Sequence, residues 1–225
     1  MRYSRGRLII FCKAPEPGKV KTRLASSLDA SGLDGATIAA EIHKYLAIHC
    51  LGTMTSQNQV SVELRCSPST DDPFFKQCAE EYGVILREQG PGDLGERMSR
   101  AFDDVLSKHD YAVIIGTDCP VLDFSVVDHT LSLLSTNQNT VIVPAEDGGY
   151  VLIGLTVNQP DIFFDMPWGT SKVLSQTALR VNGECEMLPP LWDVDTLEDL
   201  ARLKQMASSL KLDDGFISLL NSLNI

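Results

Sequence analysis

The sequence predicts an α/β fold built on a central, mainly parallel sheet with one late antiparallel excursion. Three observations predict it. Short apolar runs rich in β-branched residues recur at 8–12, 112–115, 140–143 and 151–155, each too short for a helix. Segments with apolar residues at helical spacing alternate with these runs, the pattern of crossover units feeding a parallel sheet. The chain has 225 residues, 44% hydrophobic and 22% charged, enough to bury a large core without staples. One domain over 1–225 is expected, with a helical tail over 207–225.

Residues 8–12 (LIIFC) read as a first strand, buried on both faces. The following loop, Lys13-Ala-Pro-Glu-Pro-Gly18-Lys19-Val20-Lys21-Thr22-Arg23, carries four cations in an otherwise acidic protein. It reads either as a phosphate-binding loop or as a solvated basic turn, and its place after a buried strand favours the first. It is neither a Walker A loop nor the three-glycine dinucleotide fingerprint. Residues 36–51 predict a helix, with His43 and His49 read as structural or surface residues rather than catalysts. Residues 60–66 alternate apolar and polar and predict a second strand with one face more exposed. Asp72 and Pro73 open a helix that Gly83 ends. A short strand follows at 84–86.

Gln89-Gly-Pro-Gly92-Asp93-Leu94-Gly95-Glu96 is a loop. It is either a tight strand-to-helix connection or a place where backbone approaches a ligand. The next helix shows one apolar stripe, Met98, Ala101, Phe102, Val105 and Leu106. The strand at 112–115 then stops at Gly116-Thr117-Asp118-Cys119-Pro120, so an acid sits where a buried strand ends. Ligands of open α/β sheets bind outside the carboxyl ends of the strands, and a carboxylate there suits a hard divalent cation. A turn cap is the plainer reading of Asp118. A helix is predicted over 125–134.

Pro144 ends the strand at 140–143, and Ala145-Glu146-Asp147-Gly148-Gly149-Tyr150 turns back into 151–155. This is either a simple hairpin turn or a second acid brought to the sheet edge. Trp168 either packs or closes over a substrate, and packing is favoured. Thr170 or Ser171 is expected to cap a helix running to about Val181. Thr196 and Asp199 have capping-box spacing before a helix containing Leu200, Leu203 and Met206. Helix capping and the helix dipole explain one of the preceding acids, Asp193 and Asp195, better than both. Residues 216–225 read as a short amphipathic tail.

A net charge of −11 argues against a general nucleic-acid or anionic-membrane binder. No run reaches the length of a membrane span, and the first residues lack a signal-peptide core, so a cytoplasmic protein is expected. The six cysteines show no C-x-x-C pair and read as buried thiols.

Six motifs occur in order: FCKAPEPGKVKTRL, QGPGDLGERM, IGTDCPVL, PAEDGGYVLIGL, WGTSKVL and DVDTLEDL. Together they resemble a bacterial family of GT-A-fold transferases in the nucleotide-diphospho-sugar transferase superfamily, over Arg7 to about Met206. More distantly the chain is similar to phospholactate guanylyltransferases and molybdopterin nucleotidylyltransferases. The resemblance implies a single-domain Rossmann-like GT-A fold that binds a nucleotide or nucleotide-sugar donor, Mg²⁺ or Mn²⁺, and a small-molecule acceptor. Carried over by position, Lys13, Gly18, Lys19, Lys21 and Arg23 hold the phosphates, and Gly92, Asp93 and Gly95 line base and ribose. Lys21, Arg23 and Asp118 are the implied catalytic residues. Asp118, Asp195 and Asp193 are the implied metal ligands, and Asp147, Gly148, Gly149 and Trp168 face the acceptor. The D-x-D of many GT-A enzymes is here Thr117-Asp118-Cys119-Pro120, so the second metal acid must come from a distant segment, as in nucleotidylyltransferases. Two other classes are weighed. Residues 193–197 superficially match the D-x-D-x-T of haloacid-dehalogenase phosphatases, but two prolines precede them where a first strand should end. A non-catalytic nucleotide-binding module is the third reading.

Overall fold

The computed structural model describes residues 1–136 and 138–223; the last two residues of the expected tail lie outside them. The strands are β1 (Gly6–Lys13), β2 (Ser61–Ser67), β3 (Ile85–Glu88), β4 (Tyr111–Ile115), β5 (Thr140–Pro144), β6 (Tyr150–Leu155) and β7 (Cys185–Met187). The helices are α1 (Thr22–Ala30), α2 (Gly35–Thr55), α3 (Pro73–Tyr82), α4 (Leu94–Leu106), α5 (Phe124–Thr136), α6 (Val173–Arg180), α7 (Leu197–Met206) and α8 (Asp214–Ser222). The strands form one sheet in the order β3-β2-β1-β4-β6-β5-β7. Only β6 runs against its neighbours β4 and β5, which is the antiparallel excursion.

Strand periodicity divides the core. Leu8, Ile10 and Cys12 of β1, with Val113 and Ile115 of β4, face one side, against α2, α3 and α5. Ile9, Ala112 and Ile114 face the other, against Met98, Phe102 and Val105 of α4 and Ile162 and Phe163 beyond β6. A further apolar cluster joins Leu24 and Leu28 of α1 to Ile42 and Leu46 of α2, Leu200 and Leu203 of α7, and Phe216 and Leu220 of α8. Helix α2 is therefore buried on two sides, which explains its apolar character all round. The described part of the expected tail, 207–223, is accordingly packed: Phe216 stacks on Tyr45 at 4.9 Å between ring centroids.

Several local expectations hold. Asp72 caps α3 and Gly83 ends it with φ of 66°. Thr196 and Asp199 form the capping box of α7. Others are corrected. Both faces of β2 are buried, because Glu63 and Arg65 pair with each other (2.5 Å) and Arg65 reaches Asp104 of α4 (3.0 Å). Alternation thus reported a buried ion pair, not a wet face. The third strand lies at Ile85–Glu88, shifted from 84–86. Helix α6 begins at Val173 without a side-chain cap, since the Thr170 hydroxyl donates to the Pro167 carbonyl instead (2.8 Å). Among the described residues no helix is long and apolar enough to cross a membrane.

Candidate functional site at the carboxyl edge of the sheet

The site starts from how one extended segment crosses the sheet edge. Leu191 N–H donates to the Pro144 carbonyl at the end of β5, and Val194 N–H donates to the Asp118 carbonyl beyond β4 (2.9 and 3.0 Å). Along this segment Trp192 and Val194 are buried among α1, α2, α7 and α8. Extended backbone sends alternate side chains to opposite faces, so Asp193 and Asp195 both turn away from that core. Helix capping, the plainer reading of these acids, falls to other residues. Thr196 is the N-cap, and the Asp199 carboxylate accepts from the N–H groups of Asp195 and Thr196.

Lys21 sits at the centre. It precedes α1 in left-handed backbone, φ 44° and ψ 46°, a conformation that costs a non-glycine residue roughly 1–2 kcal/mol. Its side chain is 2% exposed. The ammonium donates to the Val194 carbonyl (2.5 Å) and stands 2.9 Å from Asp118 Oδ1 and 3.8 Å from Asp195 Oδ1. Arg23 lies 3.7 Å from Asp195 Oδ2 and donates to the Gly169 carbonyl (3.0 Å), tying α1 to the loop before α6. His43 of α2 is buried. Its Nε2 meets the Lys13 carbonyl at 3.0 Å, and its Nδ1 lies 3.5 Å from Asp118 Oδ1. Asp118 Oδ1 is wholly buried while the side chain as a whole is 43% exposed, so the second oxygen faces the cleft.

The electrostatics follow. Burial pushes the Asp118 carboxyl up, but the Lys21 ammonium, helped by His43, outweighs it and holds the group well below the usual carboxylate range. Asp193 has no such partner. Burial, then Asp147 and Asp195, push it up to about 6. Asp195 is also raised, by burial first; Lys21 and Arg23 oppose the rise, while Asp118 and Asp147 add to it. Four carboxylates thus share one edge with two cations, Lys21 and Arg23, and of the two raised ones Asp193 has neither beside it. Among the described residues no three metal-capable side chains stand close enough to enclose an ion. In chemistry alone, the carboxylate oxygens of Asp118, Asp195 and Asp193 are of the kind a hard divalent cation takes, and the three are not gathered into a ready cage. Cys119 offers no nucleophile, since burial pushes its thiol up to about 12.

The remaining residues fall around this cluster. Lys13 and Lys19 are exposed and pair with no acid among the described residues, and Gly18 turns between them with φ of 74°. Asp93 is the N-cap of α4, in a capping box with Glu96, and Gly92 precedes it with φ of 95°. Gly95 packs: a Cβ there would lie 2.4 Å from the Phe163 carbonyl oxygen and 3.0 Å from the Trp168 ring. Asp147 accepts from Gly149 N–H in a local turn (2.9 Å). Gly148 lies against the Ser171 backbone, which a Cβ would meet at 2.5 Å. Trp168 meets Tyr150 edge-on, 6.4 Å between centroids.

Two residues at the site escaped sequence reasoning in that role. Gln89 is buried and donates to the carbonyls of Cys12 and Arg65, fixing the glycine loop to β1 and β2. His43 was readable only as a structural or surface residue. Its spacing with Ala39, Leu46, Ala47 and Cys50 puts it on the buried stripe of α2, the signal that could have marked it. A cleft of about 260 Å³ opens above Asp118, lined by Lys13, Lys21, His43, Gln89 and Thr117.

Against known proteins, the model of a bacterial family described as "Uncharacterized protein conserved in bacteria (DUF2064)" matches residues 50–170, more than half of the chain. The chain belongs to this family. No curated protein matches it. Among solved structures it is similar to a "putative nucleotide-diphospho-sugar transferase" from Desulfovibrio desulfuricans G20, with 29% identity, 97% of this chain and 95% of that one covered, and a TM-score of 0.82. A nucleotidyl transferase from Methanothermobacter shares the fold at 11% identity, 91% and 98% coverage and a TM-score of 0.58. So does 4-diphosphocytidyl-2C-methyl-D-erythritol synthase from Anaerococcus prevotii DSM 20548, at 11%, 91% and 96%, and 0.57. The fold is therefore the one shared by sugar-nucleotide and nucleotidyl transferases.

Proposed function

We propose that the protein is a metal-dependent transferase whose donor is a nucleotide sugar or a nucleoside triphosphate and whose acceptor is a small molecule. The observation that carries this reading is the convergence of Asp118, Asp193 and Asp195 with Lys21 and Arg23 at the carboxyl edge of the sheet. Asp118, Asp195 and Asp193 would hold Mg²⁺ or Mn²⁺, which would supply positive charge to neutralise a donor's phosphates. Exposed Lys13 and Lys19 bind the donor phosphates, with Arg23 beside Asp195. Lys21 holds Asp118 and Asp195 in register, and His43 steadies the inner oxygen of Asp118. The glycine loop at 90–95 lies on the donor side. Asp147, Gly148, Gly149 and Trp168 lie on the acceptor side. No covalent protein intermediate is needed when transfer is by positioning and charge neutralisation.

Nucleotidylyl transfer to a phosphorylated or hydroxylated acceptor is the second reading. It is favoured by the source of the acids: they come from two distant segments and not from one D-x-D. Thermal stability against nucleoside triphosphates, diphosphates and nucleotide sugars, with and without Mg²⁺ or Mn²⁺, tests the proposal by linkage. A metal-dependent shift, lost in Asp118→Asn, is the expected result. A shift with triphosphates alone selects nucleotidylyl transfer. No shift with any nucleotide overturns both readings and leaves the fold.

A further inference from the structure

Beside the polar cleft above Asp118 lies a second chamber of about 190 Å³ lined mainly by carbon. Its walls include Met98 of α4, Ile114 of β4, Tyr150 and Ile153 of β6, Trp168 and Val173. Phe11, Leu94 and Gly116 line both chambers, so they stand at the common boundary, or throat. A molecule with a polar end at Asp118 therefore has an apolar space within reach.

We propose that this chamber receives the hydrocarbon part of the acceptor, an aryl or compact branched alkyl group carried on a hydroxyl or phosphate. This rests on the transferase reading above and names its acceptor class. Size sets the limit, since a dry cavity of about 150 Å³ holds benzene. Chemistry disfavours the donor's base: of the lining only Tyr150 and Trp168 carry buried polar atoms without partners, the Tyr150 hydroxyl and Trp168 Nε1, too few to meet the several donors and acceptors of a base edge, and leaving those unmet is costly. Position agrees. The chamber reaches from Phe11 of β1 and Leu94 across β4 to Tyr150 and Ile153 of β6, whereas Lys13 lines the cleft at Asp118 and not this chamber. Local sequence builds it. The missing side chain of Gly95 lets α4 start against the Phe163 carbonyl and the Trp168 ring, which sets that ring as a wall.

Trp168 makes binding visible as a change in tryptophan fluorescence; the other tryptophan, Trp192, is buried in the α1–α7 core. The probes are benzyl phosphate and, as the polar control, glycerol 3-phosphate. Benzyl phosphate is expected to bind at least tenfold more tightly. Two variants close the throat. At Gly116 a Cβ meets nothing within 4 Å, so Gly116→Val projects into open space. Leu94 is 43% exposed at the first turn of α4, so Leu94→Glu puts a charge in the throat at a position the helix dipole favours. Each variant is expected to erase the tenfold preference. Equal affinities for the two probes, a preference that survives both variants, or displacement of benzyl phosphate by a free nucleoside would overturn the proposal. No donor is added, so failure here is separate from failure of the donor-binding test.

Discussion

Two clusters of charge in this protein share the same parts and differ in what they leave unmet. In the core, Arg65 of β2 is buried between Glu63 and Asp104 and also donates to the Glu88 carbonyl. That cluster is closed by its pairing and not by cover: Asp104 on α4 is half exposed, but the guanidinium donates to Glu63, Asp104 and the Glu88 carbonyl. At the sheet edge, Lys21 is buried to the same degree between Asp118 and Asp195. That cluster is open. Asp118 turns one oxygen outward, and Asp193 and Asp195 are raised by burial and by neighbouring acids. A closed cluster is an element of structure. An open one, with more acid than its cations can answer, is a demand for a ligand's cation.

The largest expected effect separates the two. Arg65→Met strands Glu63 in the core, and breaking a buried pair from one side costs about 3–5 kcal/mol. For a chain of this size that lowers the melting temperature by roughly 10 °C. Mn²⁺ is expected to restore none of it; recovery by Mn²⁺ would show that the core cluster also binds metal.

Lys21→Met makes the parallel cut at the edge. Water reaches Asp118 and Asp195, so the cost is smaller, about 1–3 kcal/mol. Here millimolar Mn²⁺ is expected to return part of the lost stability, because an added cation replaces the missing ammonium. A loss as large as that of the Arg65 variant and indifferent to Mn²⁺ would make the edge cluster structural too.

The smallest effect is one of pH. Asp193 titrates near 6 in the folded protein against an ordinary 3.8, so the folded state holds this proton more tightly than the unfolded chain. The stability it contributes is complete below about pH 4 and is lost as pH rises through 6. Asp193→Asn removes that dependence. Its melting temperature relative to the unmodified protein is expected to climb between pH 4 and 6 and then level off. A difference that stays constant with pH would contradict the crowding of acids at this edge.

The comparison also shows what the sequence could and could not reveal. Apolar runs and their alternation with helical segments made the α/β sheet readable, because burial on both faces leaves a composition no wet strand has. Asp118 was readable because Pro120 stops a strand immediately after it. The convergence of Asp193 and Asp195 on Asp118 was not readable from spacing. It depends on backbone hydrogen bonds between distant segments, from Leu191 to Pro144 and from Val194 to Asp118, the second across 76 positions of chain. The role of Lys21 as a buried counter-ion was hidden for the same reason: its partners are two distant carboxylates and a distant carbonyl. Arg65 misled in the opposite direction, since a charged residue in an alternating strand marks a wet face unless a partner from another element pairs with it. The short strand β7 and helix α1 carried too little periodicity of their own.

The measurement that tests the central claim most directly is Mn²⁺ binding by electron paramagnetic resonance, titrating the protein with and without a nucleoside triphosphate. The signal of free Mn²⁺ is expected to fall when protein and nucleotide are both present, beyond what the nucleotide alone removes, and Asp118→Asn is expected to abolish this excess. Equal excess binding in the Asp118→Asn variant, or none in the unmodified protein, would contradict the claim that the open cluster is a cation site.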